Sequence, residues 1–129
     1  MGCRAQVHIK DTNVYLYTHW NGNTLADVVR RAIIRGYERS DDPEYLARII
    51  FCEMVKGDID GTTGYGIGTT PNADNEWLIE VSCRNQTVVI IEMVAVRCPI
   101  RDKFVQKPYN EYRRSFEAIA QGFPEELAI

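Results

Sequence analysis

The sequence predicts an α+β fold in a single domain, residues 1–129, with an antiparallel sheet built from two hairpins and packed against two or three helices. Four segments alternate apolar and polar side chains as strands do, and two longer stretches between them repeat apolar residues at helical spacing. The order β-β-α-α-(β)-β-β-α lacks the repeated βαβ units that build a parallel sheet. A chain of 129 residues is large enough to bury a core of its own.

The first predicted element is a hairpin near the N-terminus. Residues 5–10 and 13–19 both alternate, and the three residues 11–13 between them, Asp-Thr-Asn, have the composition of a turn. One face of this hairpin is apolar. The other face is expected to carry Gln6, His8, Tyr15, Tyr17 and His19.

Two helices are predicted to follow the hairpin. The first has Thr24 as its N-cap and apolar residues at helical spacing over residues 25–37. The second begins at Asp42-Pro43, because aspartate caps helices and proline favours the first helical position, and it runs to about residue 55. Apolar residues cover most of its circumference, so we expect it to be the central and best-buried helix.

The second predicted hairpin consists of strands over residues 76–83 and 87–94, joined by three polar residues. Residues 95–108 are mixed in character and contain two prolines, which interrupt regular structure.

The last predicted element is an amphipathic helix over about residues 109–121, with Tyr112, Phe116 and Ile119 as its apolar stripe. Together with the tail that follows, residues 109–129 are a candidate interface.

Composition and charge exclude several classes of function. The net charge of −3 argues against a nucleic-acid-binding protein, which usually carries a basic surplus. No apolar run approaches the ~18 residues that span a membrane, and the N-terminus lacks the apolar core of a signal peptide. The four cysteines are scattered, without the spacing of a zinc site, and are expected to be free thiols in a reducing cytoplasm. No cofactor is predicted.

The stretch GDIDGTTGYGIGTTPNADNE, residues 57–76, contains two short motifs that mislead. Its DIDGT core matches the Asp-x-Asp-x-Thr signature of haloacid-dehalogenase-type phosphatases. The preceding residues end a helix, however, whereas that nucleophile must follow a buried strand. An EF-hand calcium site is excluded because Lys56 and Ile67 fall where its loop needs acidic residues.

The glycines and threonines of the same stretch fit either a ligand loop or a set of turns. Glycine lets the backbone approach a ligand closely, and consecutive N–H groups can form an anion-binding nest. In the structural alternative, Tyr65 and Ile67 form a short strand and the glycines serve turns.

An aromatic row on the first hairpin is the second candidate for ligand contact. Tyr15, Tyr17 and His19 share one strand face and Trp20 follows, so they can stack a base or, alternatively, cover the hairpin. Arginines on the first helix can neutralise a phosphate. The candidate ligand-binding residues are Tyr15, Tyr17, His19, Trp20, Arg31, Thr62, Thr63, Gly64, Tyr65 and Asn75.

The segments MGCRA, VYLYTHWNG, ARIIFCEM and DGTTGYGI with DNE resemble a family of short proteins encoded by bacteria, their phages and prophages. The resemblance covers about residues 1–90. The family has no established chemistry, and what it implies is context: a small, soluble protein of the bacterial cytoplasm, often phage-borne. Proteins of that kind frequently counter host immunity, either by blocking a protein or by sequestering a nucleotide signal.

Three functions follow as hypotheses. The first is a non-enzymatic binding protein that sequesters a small anionic ligand of the nucleotide type, as a homo-oligomer that buries the ligand where subunits meet. The second is a protein-binding inhibitor of a host defence complex, similar in role to an anti-CRISPR. The third is a nucleotide-cleaving enzyme, with acid-base groups among Asp58, Asp60, Asp74 and Glu76.

Overall fold

A computed structural model describes residues 3–98, 100 and 103–121. The predicted α+β class is confirmed: the described residues form one six-stranded sheet and three α-helices. In chain order the elements are β1 Ala5–Ile9, β2 Val14–Thr18, α1 Leu25–Arg35, α2 Pro43–Met54, β3 Tyr65–Gly68, β4 Trp77–Ser82, β5 Thr87–Cys98, β6 Lys103–Ser115 and α3 Phe116–Ala120. No described helix has the length and apolar character needed to cross a membrane.

The sheet is mixed, so the prediction of a purely antiparallel sheet was wrong. Its strand order is β3-β2-β1-β4-β5-β6, and every neighbouring pair is antiparallel except β1 and β4, which run parallel from Ala5↔Trp77 to Ile9↔Val81. The chain leaves β2, passes through both long helices and β3, and returns to add β4 beside β1. Alternation within a strand cannot reveal such a long-range pairing.

The helices cover one face of the sheet, and the core lies between them. The apolar face of β1, formed by Ala5, Val7 and Ile9, is fully buried in this core. Helix α1 packs against both α2 and α3, so α1 is the central helix and the prediction for α2 was wrong. Each of the two long helices buries six side chains, so α2 is not better buried than α1.

The caps of the two long helices differ. Asp42 accepts hydrogen bonds from the N–H groups of Glu44 and Tyr45, both at 3.2 Å, as predicted for the start of α2. Thr24 occupies the N-cap position of α1 but its side chain caps nothing; its hydroxyl donates instead to the carbonyl of Asn21 at 3.2 Å.

Because Asp42 caps its helix and Thr24 does not, substituting each with alanine tests how much a side-chain cap contributes to stability. Asp42→Ala is expected to lower the free energy of unfolding by about 1 kcal/mol, the usual cost of losing a cap. Thr24→Ala should change it by less than about 0.5 kcal/mol, because no cap is lost. Urea denaturation of both variants checks the prediction, and equal losses would contradict it.

The C-terminal prediction failed at residues 109–115. These residues belong to β6, which pairs antiparallel with β5, and only Phe116–Ala120 is helical. Tyr112 on the strand and Phe116 and Ile119 on α3 still meet in the core, which is why their spacing resembled a helical stripe. The tail over residues 122–129 lies outside the described residues.

Residues 95–108, expected to be irregular, instead continue β5 to Cys98 and begin β6 at Lys103. Pairing between β4 and β5 ends at Trp77↔Glu92, so residues 94–98 and 103–107 pair only with each other within the described chain. We call this two-stranded ribbon the arm.

A proline protects the free edge of β6. Met93 donates its N–H to Glu76, away from β6, so the opposing Pro108 has its nitrogen towards the free edge of the sheet. A residue without an N–H suits an edge strand, where no ladder bond is lost.

Candidate ligand site on the helix-free face of the sheet

The face of the sheet opposite the helices carries the predicted polar side of the first hairpin. Strand register places Gly68, Tyr15, His8 and Glu80 in one row across β3, β2, β1 and β4. A second row, one pleat away, contains Gly66, Tyr17, Gln6 and Leu78.

His8 and Tyr15 form a stacked pair at the centre of the first row. Their ring centroids are 4.1 Å apart and the rings are 3° from parallel. His8 Nε2 lies 3.3 Å from the carbonyl oxygen of Thr12, so this nitrogen donates and carries a proton. Its Nδ1 faces Glu80 Oε2 at 3.9 Å. The hydrogen bond to Thr12 orients the His8 ring, and the stacked pair offers a flat aromatic surface.

Tyr17 and His19 form the second aromatic pair. The Tyr17 hydroxyl lies 2.9 Å from His19 Nδ1. If the phenol donates, the proton of a neutral His19 sits on Nε2, which has no hydrogen-bond partner among the described residues. His19 is also edge-on to Trp20, with centroids 5.6 Å apart. The row thus ends in a ring with a free polar atom.

The glycine-threonine segment reaches this end of the row. The N–H of His19 donates to the carbonyl of Gly64 at 2.8 Å. Gly64 has φ +97°, and a Cβ atom there would overlap the six-membered ring of Trp20. The N–H groups of Thr62, Thr63 and Gly64 make no hydrogen bond within the described chain, so three consecutive donors lie beside the aromatic row.

The remainder of the 57–76 stretch divides between an edge strand and a crossing segment. Tyr65–Gly68 forms β3, so the short-strand alternative is confirmed. Residues 69–76 then cross the helix-free face to reach β4, fastened by Gln6. The Gln6 amide accepts from Asn72 N at 2.8 Å and Asn75 Nδ2 at 2.9 Å, and donates to Thr70 O at 3.3 Å.

The ten predicted site residues therefore do not all converge. Five of them belong to the aromatic row and its adjoining loop end: Tyr15, Tyr17, His19, Trp20 and Gly64. Thr62 and Thr63 are exposed and directly precede Gly64 in the chain. Asn75 belongs to the crossing segment and is 2% exposed, and its Oδ1 has no partner among the described residues.

Two predicted residues lie on the other side of the sheet. Arg31 stands on α1 and forms ion pairs with Asp27 and with Glu53, the latter with Nε–Oε1 at 3.5 Å. Tyr65 packs against the core, and its hydroxyl accepts a hydrogen bond from Asn21 Nδ2 at 2.6 Å. Neither can contact a ligand on the helix-free face.

Sequence reasoning missed Gln6, His8 and Glu80 as parts of this site. The alternation of polar and apolar residues put Gln6 and His8 on the polar face of the first hairpin, and this pattern could have identified both as site residues. Glu80 comes beside His8 only because β1 and β4 are parallel neighbours.

Two of the thiols and two of the acidic candidates have environments that the structure defines. Burial raises the pKa of Cys83 to about 11, and burial with the nearby charge of Glu76 raises the pKa of Cys3, whereas a nucleophilic thiol needs a lowered pKa. Asp74 is ion-paired with Arg4 at 3.4 Å, and Asp58 lies in the turn after α2.

In the described ranges, no group of three or more histidine, cysteine or acidic side chains could hold a metal ion. Comparison of the chain with protein-family models, with curated proteins and with solved structures found no match in any of the three.

Proposed function

We propose that the protein is a non-enzymatic binding protein for a small anionic ligand with a planar ring, of the nucleotide type. One contact carries the proposal: the hydrogen bond from His19 N–H to Gly64 O, which holds the unpaired N–H groups of residues 62–64 beside the aromatic row. Tyrosine and histidine rings stack bases, and consecutive backbone N–H groups bind anions. Their adjacency suits a base joined to a phosphate.

Open space beside the rings supports the proposal. Gly66 and Gly68 are the register partners of Tyr17 and Tyr15, and a Cβ atom at either glycine would meet nothing within 4 Å. A larger residue at these positions would occupy the space next to the tyrosines. The edge strand therefore leaves room for a planar ring to lie against them.

Charge on the helix-free face indicates how the ligand would be oriented. Arg31 takes no part, because it is engaged in the helical layer. Glu80, beside His8, repels a phosphate from the middle of the sheet, whereas the N–H groups of residues 62–64 attract one. The phosphate is therefore expected at the Trp20 end, with the ring over Tyr17.

Calorimetric titration tests this function with AMP, GMP, cyclic AMP and ADP-ribose, and with adenosine as the phosphate-free control. At least one phosphate-bearing compound should bind more tightly than adenosine. Tyr17→Ala should weaken that binding about five- to a hundred-fold, the usual value of one stacking ring.

The matched control is Tyr37→Ala, which removes an exposed tyrosine from the helical side and should leave affinity unchanged. Absence of binding by every compound would refute the proposal. Equal affinity for adenosine and the phosphate-bearing compounds would refute the role of the 62–64 segment.

A protein-binding inhibitor is the second candidate function, and the arm favours it. Val94 and Val96 are exposed on one face of the arm and Phe104 is exposed on the other, and exposed apolar side chains are common in protein interfaces. A foreign protein that copurifies in equal amount with the wild type, and is lost with Phe104→Glu but kept with Ile34→Glu on α1, would support this function.

A further inference from the structure

Strand β6 is the last strand of the sheet, so one side of its backbone has no neighbouring strand within the described chain. The hydrogen bond from Phe116 N to Gln86 O, at 2.8 Å, identifies the groups on that side. It makes these two residues a hydrogen-bonded pair, and such pairs alternate along an antiparallel ladder. Every second residue over the range 110–114 therefore bonds to β5. The residues between them, Glu111 and Arg113, direct their N–H and C=O groups outwards.

Pro108 protects only part of this edge. It removes an outward N–H near the arm, whereas Glu111 and Arg113 keep theirs. Neither of these two N–H groups has an acceptor within the described chain. Arg113 O accepts a hydrogen bond from Arg114 Nη1 at 2.7 Å, and a carbonyl oxygen can accept a second one. The edge beyond Pro108 can therefore pair with a further strand.

Two charged side chains beside this edge select the strand that fits. Glu111 and Arg113 lie on the helix-free face, because their register partners are Ile91 and Val89 of β5. Both are exposed, and neither forms an ion pair with a described residue. Opposite charges that face each other across two strands stabilise the pairing, and like charges destabilise it. The partner strand therefore needs the reverse order of charges.

A second copy of β6 provides that order in the antiparallel register centred on Tyr112. An outward-directed residue must face another outward-directed residue. In the neighbouring registers, centred on Glu111 or on Arg113, two glutamates or two arginines would face each other. In the register centred on Tyr112, Glu111 of each copy faces Arg113 of the other. Pro108 then falls opposite residue 116, where β6 has ended, so it interrupts no bond.

A two-fold axis normal to the sheet at Tyr112 relates the two copies, so the contact is isologous. We infer that the protein forms a dimer in which the two β6 strands pair edge to edge and join the six-stranded sheets into one continuous sheet. The outward N–H and C=O groups of Glu111 and Arg113 bond across the axis. Backbone bonds of this kind hold the strands together, and the two Glu111–Arg113 pairs fix the register.

Charge exchange tests the inference by sedimentation equilibrium. The wild type should be a dimer. Glu111→Arg places arginine opposite arginine in both contacts, and Arg113→Glu places glutamate opposite glutamate. Each substitution should therefore raise the dimer dissociation constant about tenfold or more. An equimolar mixture of the two variants should dimerise again, and so should the double variant Glu111→Arg/Arg113→Glu by itself, because every contact is then complementary. This recovery also shows that the single variants fold.

The matched controls are Glu38→Arg and Lys10→Glu, which make the same changes in net charge at exposed positions outside β6 and should leave the dimer intact. Hydrogen exchange adds a backbone measurement: the N–H groups of Glu111 and Arg113 should be protected in the wild type, and that of Arg113 should lose protection in Glu111→Arg.

A monomeric wild type, a dimer that neither single substitution weakens, or a mixture that stays monomeric would each overturn the inference. Rapid exchange of both N–H groups in a wild-type dimer would overturn it as well, because the contact would then lie elsewhere. The nucleotide titration is a separate measurement, so either proposal can fail alone.

Discussion

Substituting Gly64 with alanine is expected to lower the free energy of unfolding by about 2–3 kcal/mol. Gly64 has φ +97°, a conformation that costs an L-residue about 1–2 kcal/mol. The new Cβ atom would also overlap the Trp20 ring, which is 48% exposed and would have to swing outwards. Lost packing between Trp20 and the loop accounts for the rest.

The same substitution is expected to abolish nucleotide binding, because it moves both the aromatic ring and the 62–64 donors. Fluorescence excited at the tryptophan band can follow the ring directly: the chain has two tryptophans, and Trp77→Phe leaves Trp20 as the only one. In that background, Gly64→Ala should shift Trp20 emission to the red, together with the loss of stability in urea.

Gly66→Ala is the matched control, two residues along the chain. A Cβ atom at Gly66 meets nothing within 4 Å, so stability should change by less than about 0.5 kcal/mol and Trp20 emission should not move. Unchanged emission and stability in Gly64→Ala would show that Trp20 does not depend on the glycine.

Elements defined by local periodicity were predictable, and those defined by distant partners were not. Alternation identified the first hairpin and its polar face, and the Asp42-Pro43 pair identified the start of α2. The spacing of Tyr112, Phe116 and Ile119 predicted one helix. In the structure Tyr112 lies in β6, whereas Phe116 and Ile119 lie in α3, which follows directly. Pairing with β5 overrides the local preference, and a single sequence window contains no trace of that partner.

The candidate site shows the same division. Tyr15, Tyr17 and His19 share a face because of the two-residue period of β2 and its extension, so that part was visible in the sequence. Arg31 could not be placed relative to the aromatic row, because helical spacing gives the faces of a helix but not which side of the sheet the helix covers. Contact between Trp20 and Gly64 spans 44 residues and depends on β2 pairing with β3.

The buried carboxylate of Glu53, on helix α2, is expected to make the stability of the protein depend on pH. The Glu53 side chain is 3% exposed and contacts three cations: Arg35 at 3.0 Å, Lys56 at 3.1 Å and Arg31 at 3.5 Å. Burial by itself would raise the pKa of Glu53, but the hydrogen bond from Lys56 and the charge of Arg35 outweigh burial and lower the pKa below its ordinary value of 4.5.

The sign of the pH dependence follows from that shift. Because the folded-state pKa is lowered, ionised Glu53 stabilises the fold above the unfolded-state pKa, and this contribution is lost as the pH falls through the folded-state pKa. Glu53→Gln should therefore lower the free energy of unfolding by about 2 kcal/mol at pH 7. The loss stays below the 3–5 kcal/mol typical of broken buried pairs because Arg31, Arg35 and Lys56 remain partly solvated.

The measurement is urea denaturation of wild type and Glu53→Gln between pH 7 and pH 3. The difference between them should be full at neutral pH and shrink below about pH 4.5, since protonated glutamate and glutamine are then alike in charge. Asp27→Asn is the control: Asp27 pairs with Arg30 and Arg31 at the surface, where such pairs contribute about 0–1 kcal/mol. A difference that stays constant over this range would mean that shape, and not charge, makes Glu53 important to the helical layer.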